Sequence, residues 1–229
     1  MATDPRELRR QGWRRTALSI PILLLLLFGP AGSLRFWQGW LFAAVFIASS
    51  IAIGLYFSKH DPKLIERRMK AGPRAEKEPA QKIIILLVLV TFVLLLVVPG
   101  LDHRWHWSAV PGWLVLAANG AVAFSFVIFF VVLKQNSYAA STITVEPGQP
   151  VVSTGLYARV RHPLYSGALL MLAFTPLALG SYWGLLVDVL ALPVLIWRLL
   201  DEERILARDL PGYTDYCRKT RYRLIPLIW

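Results

Sequence analysis

The chain is poor in most of what a soluble protein uses. Acidic side chains number 14 in 229 residues, and charged residues of both signs make up only 17%. A single cysteine, Cys217, excludes an internal disulfide and with it the small secreted scaffold. Histidine is scarce too, with four in all. His103 and His106 stand i, i+3, but two ligands alone make a poor zinc site, and no metal is expected. No G-x-G-x-x-G turn follows a strand, so no Rossmann-type domain is hidden here. There is no internal repeat, low-complexity tract or lipidation box. Segments of about ten residues with alternating polarity, the mark of an outer-membrane barrel, are missing as well.

What the chain has instead is long apolar runs, with 56% hydrophobic residues and a mean hydropathy of +0.51. Uncharged stretches run from Thr16 to Leu34, Phe36 to Ser58, Ile83 to Leu101 and Val110 to Leu133. Each is near the roughly 20 residues that cross a bilayer as a helix. A fifth run, Leu164 to Trp197, is broken only by Asp188 and is long enough for two short helices turning around Gly180 and Ser181. The expected fold is therefore an all-α polytopic bundle of about six transmembrane helices, the last two forming a hairpin.

Charge is distributed with one sign on one side. Of 25 Lys and Arg, 23 lie before the first run, between the second and third, between the fourth and fifth, or after Trp197; Arg35 and Arg104 are the exceptions. The positive-inside rule then places both termini and both long loops in the cytoplasm. The formal charge of +11 reports topology and contact with anionic lipid, and no nucleic-acid fold accompanies it. The basic amino end followed by Ser19 to Phe28 lacks a small-x-small cleavage site, so a retained first helix is expected.

The loops divide the chain. Residues 1–133 carry four spans and the loop 59–82, which reads as helix-prone up to Gly72-Pro73, either a surface helix on lipid head groups or a lid over a membrane-embedded site. Trp105 and Trp107 read as interface anchors. Residues 134–229 differ: a β-rich patch at Thr142–Val145, turns at Pro147-Gly148 and Ser153–Gly155, then a dense polar cluster on each side of the hairpin. Arg161, His162 and Tyr165 stand at the start of the fifth helix with Pro163 in its first turn, where free N–H groups and the positive dipole end add donors, an expected anion cradle. Arg198 and Glu202, i and i+4, share a face at the end of the sixth, with Glu203 adjacent. Asp188 lies about 40° from Glu202 on a straight helix, with Pro193 expected to bend it. Tyr157, Tyr213 and Tyr216 can border a flat ring.

With those residues in view, STGLYARVRHPLYSG (153–167) followed by EERILARDLPGYTDYCRKTRYRLIP (202–226) resembles the isoprenylcysteine carboxyl methyltransferase family and its bacterial relatives. The similarity covers residues 134–229, with a weaker echo in DPKLIERR, residues 61–68. It implies an integral-membrane methyltransferase of the bacterial inner membrane that uses S-adenosylmethionine, held between the last helices and the carboxyl tail. Carried over by position, Arg161, His162, Pro163 and Tyr165 help hold the cofactor, with Tyr157, Glu203, Tyr213 and Tyr216 around it; Arg198 orients the acceptor, and Glu202 is its catalytic companion. The tail has Gly212 directly before Tyr213, the form found in bacterial relatives, which argues against prenylated proteins as substrates.

The implied reaction is methyl transfer to a lipophilic or lipid-like acceptor entering from the bilayer. A carboxylate acceptor needs only to be oriented by Arg198, itself positioned by Glu202, whereas an amine or hydroxyl needs Glu202 as base. A second resemblance competes, because YCRKTRYRLIP (216–226) is also similar to the tail of membrane sterol reductases, which use NADPH. A transporter or scaffold would have Asp188 as its best ion-path residue, without an inverted repeat to support it.

Overall fold

A computed structural model describes residues 5–76 and 78–229. Lys77, counted above among the basic residues of its loop, lies outside them, as do the side chains of Arg6 and Arg9. The described residues form eight α-helices and no strand: α1 (Pro5–Ala31), α2 (Trp37–His60), α3 (Pro62–Met69), α4 (Pro79–Trp105), α5 (Gly112–Gln135), α6 (Pro163–Ala178), α7 (Leu185–Asp209) and α8 (Tyr213–Lys219), with a 3-10 turn at Gly155–Ala158. The residues of the β-rich patch, Thr142–Val145, form no strand: Thr142 lies in a bend and the rest have no regular structure. β-Branched side chains favour extended backbone, but without a neighbouring strand there is no ladder to join.

Four helices are long and apolar enough to cross a membrane: Arg10–Ala31 of α1, α2, α4 and α5. The fifth run folds as the expected hairpin. α6 has 16 residues and α7 has 25, continuing unbroken through Pro193 and past the apolar stretch into the charged sequence Asp201–Asp209. Gly180, with φ 74°, makes the turn between them, a conformation that costs a residue with a Cβ.

α5 packs along α6, α4 along α1 and α7, and α2 against α1 and α5. The three short connections α1–α2, α4–α5 and α6–α7 meet at one end. There Asp102 is buried and accepts from Ser108 N–H at 2.7 Å, Ser108 Oγ at 2.6 Å and Ser181 Oγ at 2.5 Å. Asn119 ties α5 to α6 by donating to the Ala178 carbonyl at 3.1 Å. Beneath this knot Leu23, Leu27, Phe28, Phe36, Phe42, Leu96, Val122 and Leu179 form a closed apolar core. Trp105 and Trp107 stack on each other at the rim, both exposed. His103 lies against the Phe36 ring at 4.5 Å.

The opposite end, where the basic residues gather, is built differently. Asp61 caps α3 by accepting from Leu64 N–H at 3.1 Å, and Pro62 sits in its first turn. Leu64 is fully buried against Phe57 and Leu133. α3 therefore folds inward over the bundle and is not a helix merely lying at a surface. The tail folds back as well: Arg161 and His162 donate backbone N–H bonds to the carbonyls of Tyr222 and Arg223, each at 2.9 Å, and Ser166 Oγ donates to the Leu224 carbonyl at 2.6 Å.

Candidate functional site

The two polar segments flanking the α6–α7 hairpin come together at the basic end around a cavity of about 700 Å³, within the 300–1,000 Å³ or so usual for small-molecule sites. Of the ten residues singled out from sequence, nine line it: Tyr157, Arg161, His162, Pro163, Tyr165, Arg198, Glu202, Tyr213 and Tyr216. Glu203 stands behind the wall. His162 Nε2 lies 3.1 Å from Glu203 Oε1, Arg161 Nε lies 3.1 Å from the same oxygen, and Arg223 Nε donates to Oε2 at 2.9 Å. Burial pushes the Glu203 carboxyl up, but bonds from His162 and Arg223 and the charge of Arg161 outweigh it, leaving the group below its usual range.

This corrects the picture of an open anion cradle at the start of α6. The side chains of Arg161 and His162 are engaged by Glu203, and their backbone N–H groups by the tail. The reason is electrostatic: α7 delivers a carboxylate to the place where the cations converge, and a charge-assisted partner in the fold is always present. The arginine and histidine are thus oriented by Glu203 while their rings and stems form cavity wall.

Arg198 is also held differently from the same-face expectation. Its guanidinium does not take Glu202 as its hydrogen-bonding partner. It donates to Gln81 Oε1 at 2.9 Å, to the Ser141 carbonyl at 2.9 Å and to Glu76 Oε1 at 3.3 Å. Three acceptors converging on a planar fork hold it better than one carboxylate a turn away. Glu76 and Gln81 are buried, and Gln81 Nε2 passes the network on to Asp201 Oδ2 at 2.5 Å. The other Glu76 oxygen accepts from Ile143 N–H at 3.3 Å. Glu202 instead accepts from Tyr165 O–H at 2.5 Å, so both Arg198 and Glu202 face the cavity from fixed positions. Sequence reasoning missed Glu76 and Gln81 altogether.

The tyrosines form one wall. Tyr157 accepts from Asn136 Nδ2 at 3.0 Å, and burial lifts its pKa to about 12. Tyr216 O–H donates to the Tyr157 carbonyl at 2.8 Å. Tyr213 O–H is buried on the cavity wall without a partner among the described residues, and burial raises its pKa strongly. A buried hydroxyl with an open bond is a position where a ligand atom repays desolvation. Cys217 packs against the cluster that these tyrosines form with Val132 and Leu210.

The cavity changes character along its length. Beyond the polar chamber its walls are Ile53, Gly54, Ile85, Val88, Phe126 and Phe129, reaching Ser50. Ser50 is ten residues before the end of α2 at His60, about 15 Å along the helix, near half the depth of a hydrocarbon core of about 30 Å.

A search of the curated proteins gave no match. Residues 115–208, which include α6, the RHPxY segment, Arg198 and both glutamates, match the isoprenylcysteine carboxyl methyltransferase (ICMT) family, and the match lends no support to the reductase reading. Over that segment the chain is similar to the isoprenylcysteine carboxyl methyltransferase family, a family of membrane methyltransferases.

Proposed function

We propose that the protein is an S-adenosylmethionine-dependent methyltransferase acting on a lipophilic acceptor that reaches the site through the apolar arm of the cavity. The observation that carries the reading is the continuity of one cavity from Arg161, His162, Arg198 and Glu202 to Val88 and Phe126. A water-soluble group fits the first part and a hydrocarbon chain the second.

The residues present suit the methyl donor. Tyr213 offers its unpartnered hydroxyl, and Tyr157 and Tyr216 provide aromatic wall beside it. Glu202 presents a carboxylate suited to an ammonium or sulfonium charge. When bound, S-adenosylmethionine supplies an electrophilic methyl group. The chain's own work is placement. Arg198, fixed by Glu76, Gln81 and Ser141, orients an acceptor carboxylate, which is already nucleophilic at neutral pH. For an amine or hydroxyl acceptor, Glu202 takes the proton, with Tyr165 holding the carboxylate in place. In this reading residues 134–229 are the methyltransferase core, α3 covers the chamber, the basic end faces the cytoplasm and the α6–α7 hairpin completes six spans.

Calorimetry on the detergent-solubilised chain tests the assignment. S-Adenosylhomocysteine is expected to bind saturably and NADPH not at all; the reverse result would replace the methyltransferase with a reductase. Labelling a cysteine placed at position 75 from outside the cell would overturn the orientation.

A further inference from the structure

Three arginines line the cavity: Arg68, Arg161 and Arg198. Arg161 has Glu203 and Arg198 has Glu76. Arg68 has no carboxylate partner among the described residues. Its one hydrogen bond among the described residues is from Nη1 to the Ala139 carbonyl, at 3.1 Å. Its neighbour in sequence shows what a saturated guanidinium looks like in the same helix. Arg67 pairs in a fork with Glu146, Nε to Oε1 at 2.8 Å and Nη2 to Oε2 at 2.7 Å. It also donates to the Ser137 carbonyl and lies over the Tyr138 ring at 4.5 Å.

Arg68 is placed by α3 and locked at its backbone, where its carbonyl accepts from Ser141 Oγ at 2.9 Å. Ser141 is also the residue whose carbonyl holds Arg198. The two guanidiniums therefore approach one chamber through a shared segment, one neutralised and one not. Burial depresses the Arg68 pKa, as a cation removed from water without a counter-charge must be. A guanidinium has five N–H donors in a planar fork that matches a carboxylate, and only one group of that fork is used.

The geometry points to Arg68 as a ligand-binding residue that takes a carboxylate into the cavity, supplied either by the amino-acid portion of the methyl donor or by the acceptor. This rests on the methyltransferase reading for the identity of the ligands, while the unbalanced cation stands independently of it. Arg68 lies outside residues 115–208, so it extends the site to a helix that the family match does not reach.

The test uses calorimetry on the full chain in detergent with four probes: S-adenosylhomocysteine, 5′-methylthioadenosine, which keeps the nucleoside and thioether but lacks the amino acid, laurate, and methyl laurate. If the donor supplies the carboxylate, Arg68→Gln weakens S-adenosylhomocysteine tenfold or more and leaves 5′-methylthioadenosine unchanged. If the acceptor supplies it, the variant weakens laurate by a similar factor and leaves methyl laurate and both nucleosides unchanged. Arg67→Gln is the control for damage to α3, and neither ratio should move in it. Unchanged binding of both carboxylate probes in Arg68→Gln overturns the proposal, as does an equal loss for every probe, which marks a structural role. Failure of the methyltransferase reading looks different: the wild-type chain binds neither nucleoside, and the laurate pair still decides for or against Arg68.

Discussion

Gly100 and Gly54 sit at opposite ends of the bundle in comparably apolar helices. A Cβ on Gly100 would stand 2.9 Å from the Leu27 carbonyl oxygen and 3.1 Å from Pro30; on Gly54 it would meet nothing within 4 Å. The far end is closed by apolar packing and the Asp102 knot. The basic end is kept open, and the polar bonds of Glu76, Gln81, Asp201, Glu203 and Glu146 stand where side-chain packing is missing. Similar hydrophobicity therefore yields a solid half and a hollow half, and the difference lies in what spans the gap.

The sharpest way to probe this contrast is to cut one of the few clamps of the hollow half. Glu76→Ala leaves the Arg198 guanidinium without its carboxylate and should lower stability by about 3–5 kcal/mol. Glu76→Gln, which keeps an acceptor, should cost less. Unfolding in detergent measures both, and an alanine variant as stable as the wild type would show that the hollow half is held by something else. Next comes Gly100→Leu in the solid half, expected to cost about 1–3 kcal/mol or more through overpacking, read as a fall in thermal midpoint. Gly54→Leu, the matched change in the hollow half, should stay within about 0.5 kcal/mol while abolishing laurate binding. A stability loss equal to that of Gly100→Leu would erase the distinction between the two halves.

The smallest effect is expected from pH. Glu146 is held below its usual value of 4.5 mainly by its hydrogen bond from Arg67, and Glu203 lies below its own despite burial. A depressed folded-state pKa gives stability that is complete above the unfolded value and lost as pH falls through the folded one. The thermal midpoint should therefore fall as pH drops below about 4.5, with opening of the basic end preceding loss of helix. In Glu146→Gln that acid-side decline should be shallower.

Long uncharged runs made the helices legible, since an apolar run of about 20 residues has few alternatives in a bilayer. The turn at Gly180 and the convergence of RHPxY with the Glu202-Glu203 pair were legible for the same reason: short connections fix which ends meet. What could not be read was pairing across long separations. Arg198 and Glu76 are 122 residues apart, and no local spacing marks them, whereas the i, i+4 rule offered Glu202 as a partner and was outbid by three acceptors from other elements. Arg67 and Arg68 look alike in sequence, and only the placement of Glu146 distinguishes the paired cation from the one without a carboxylate among the described residues.

The backbone bonds from Arg161 and His162 to Tyr222 and Arg223 set an order of assembly. Synthesis at about 5–20 residues per second puts roughly 3–12 s between the emergence of residue 162 and that of residue 223. During that interval α6 already exists as an apolar segment in search of the membrane, while Arg161 and His162 still lack the strand of chain that fixes them. The bundle is laid down first and its chamber is sewn shut last, so a chain interrupted after α7 lacks the Tyr213 and Tyr216 wall and the backbone bonds that fix Arg161 and His162.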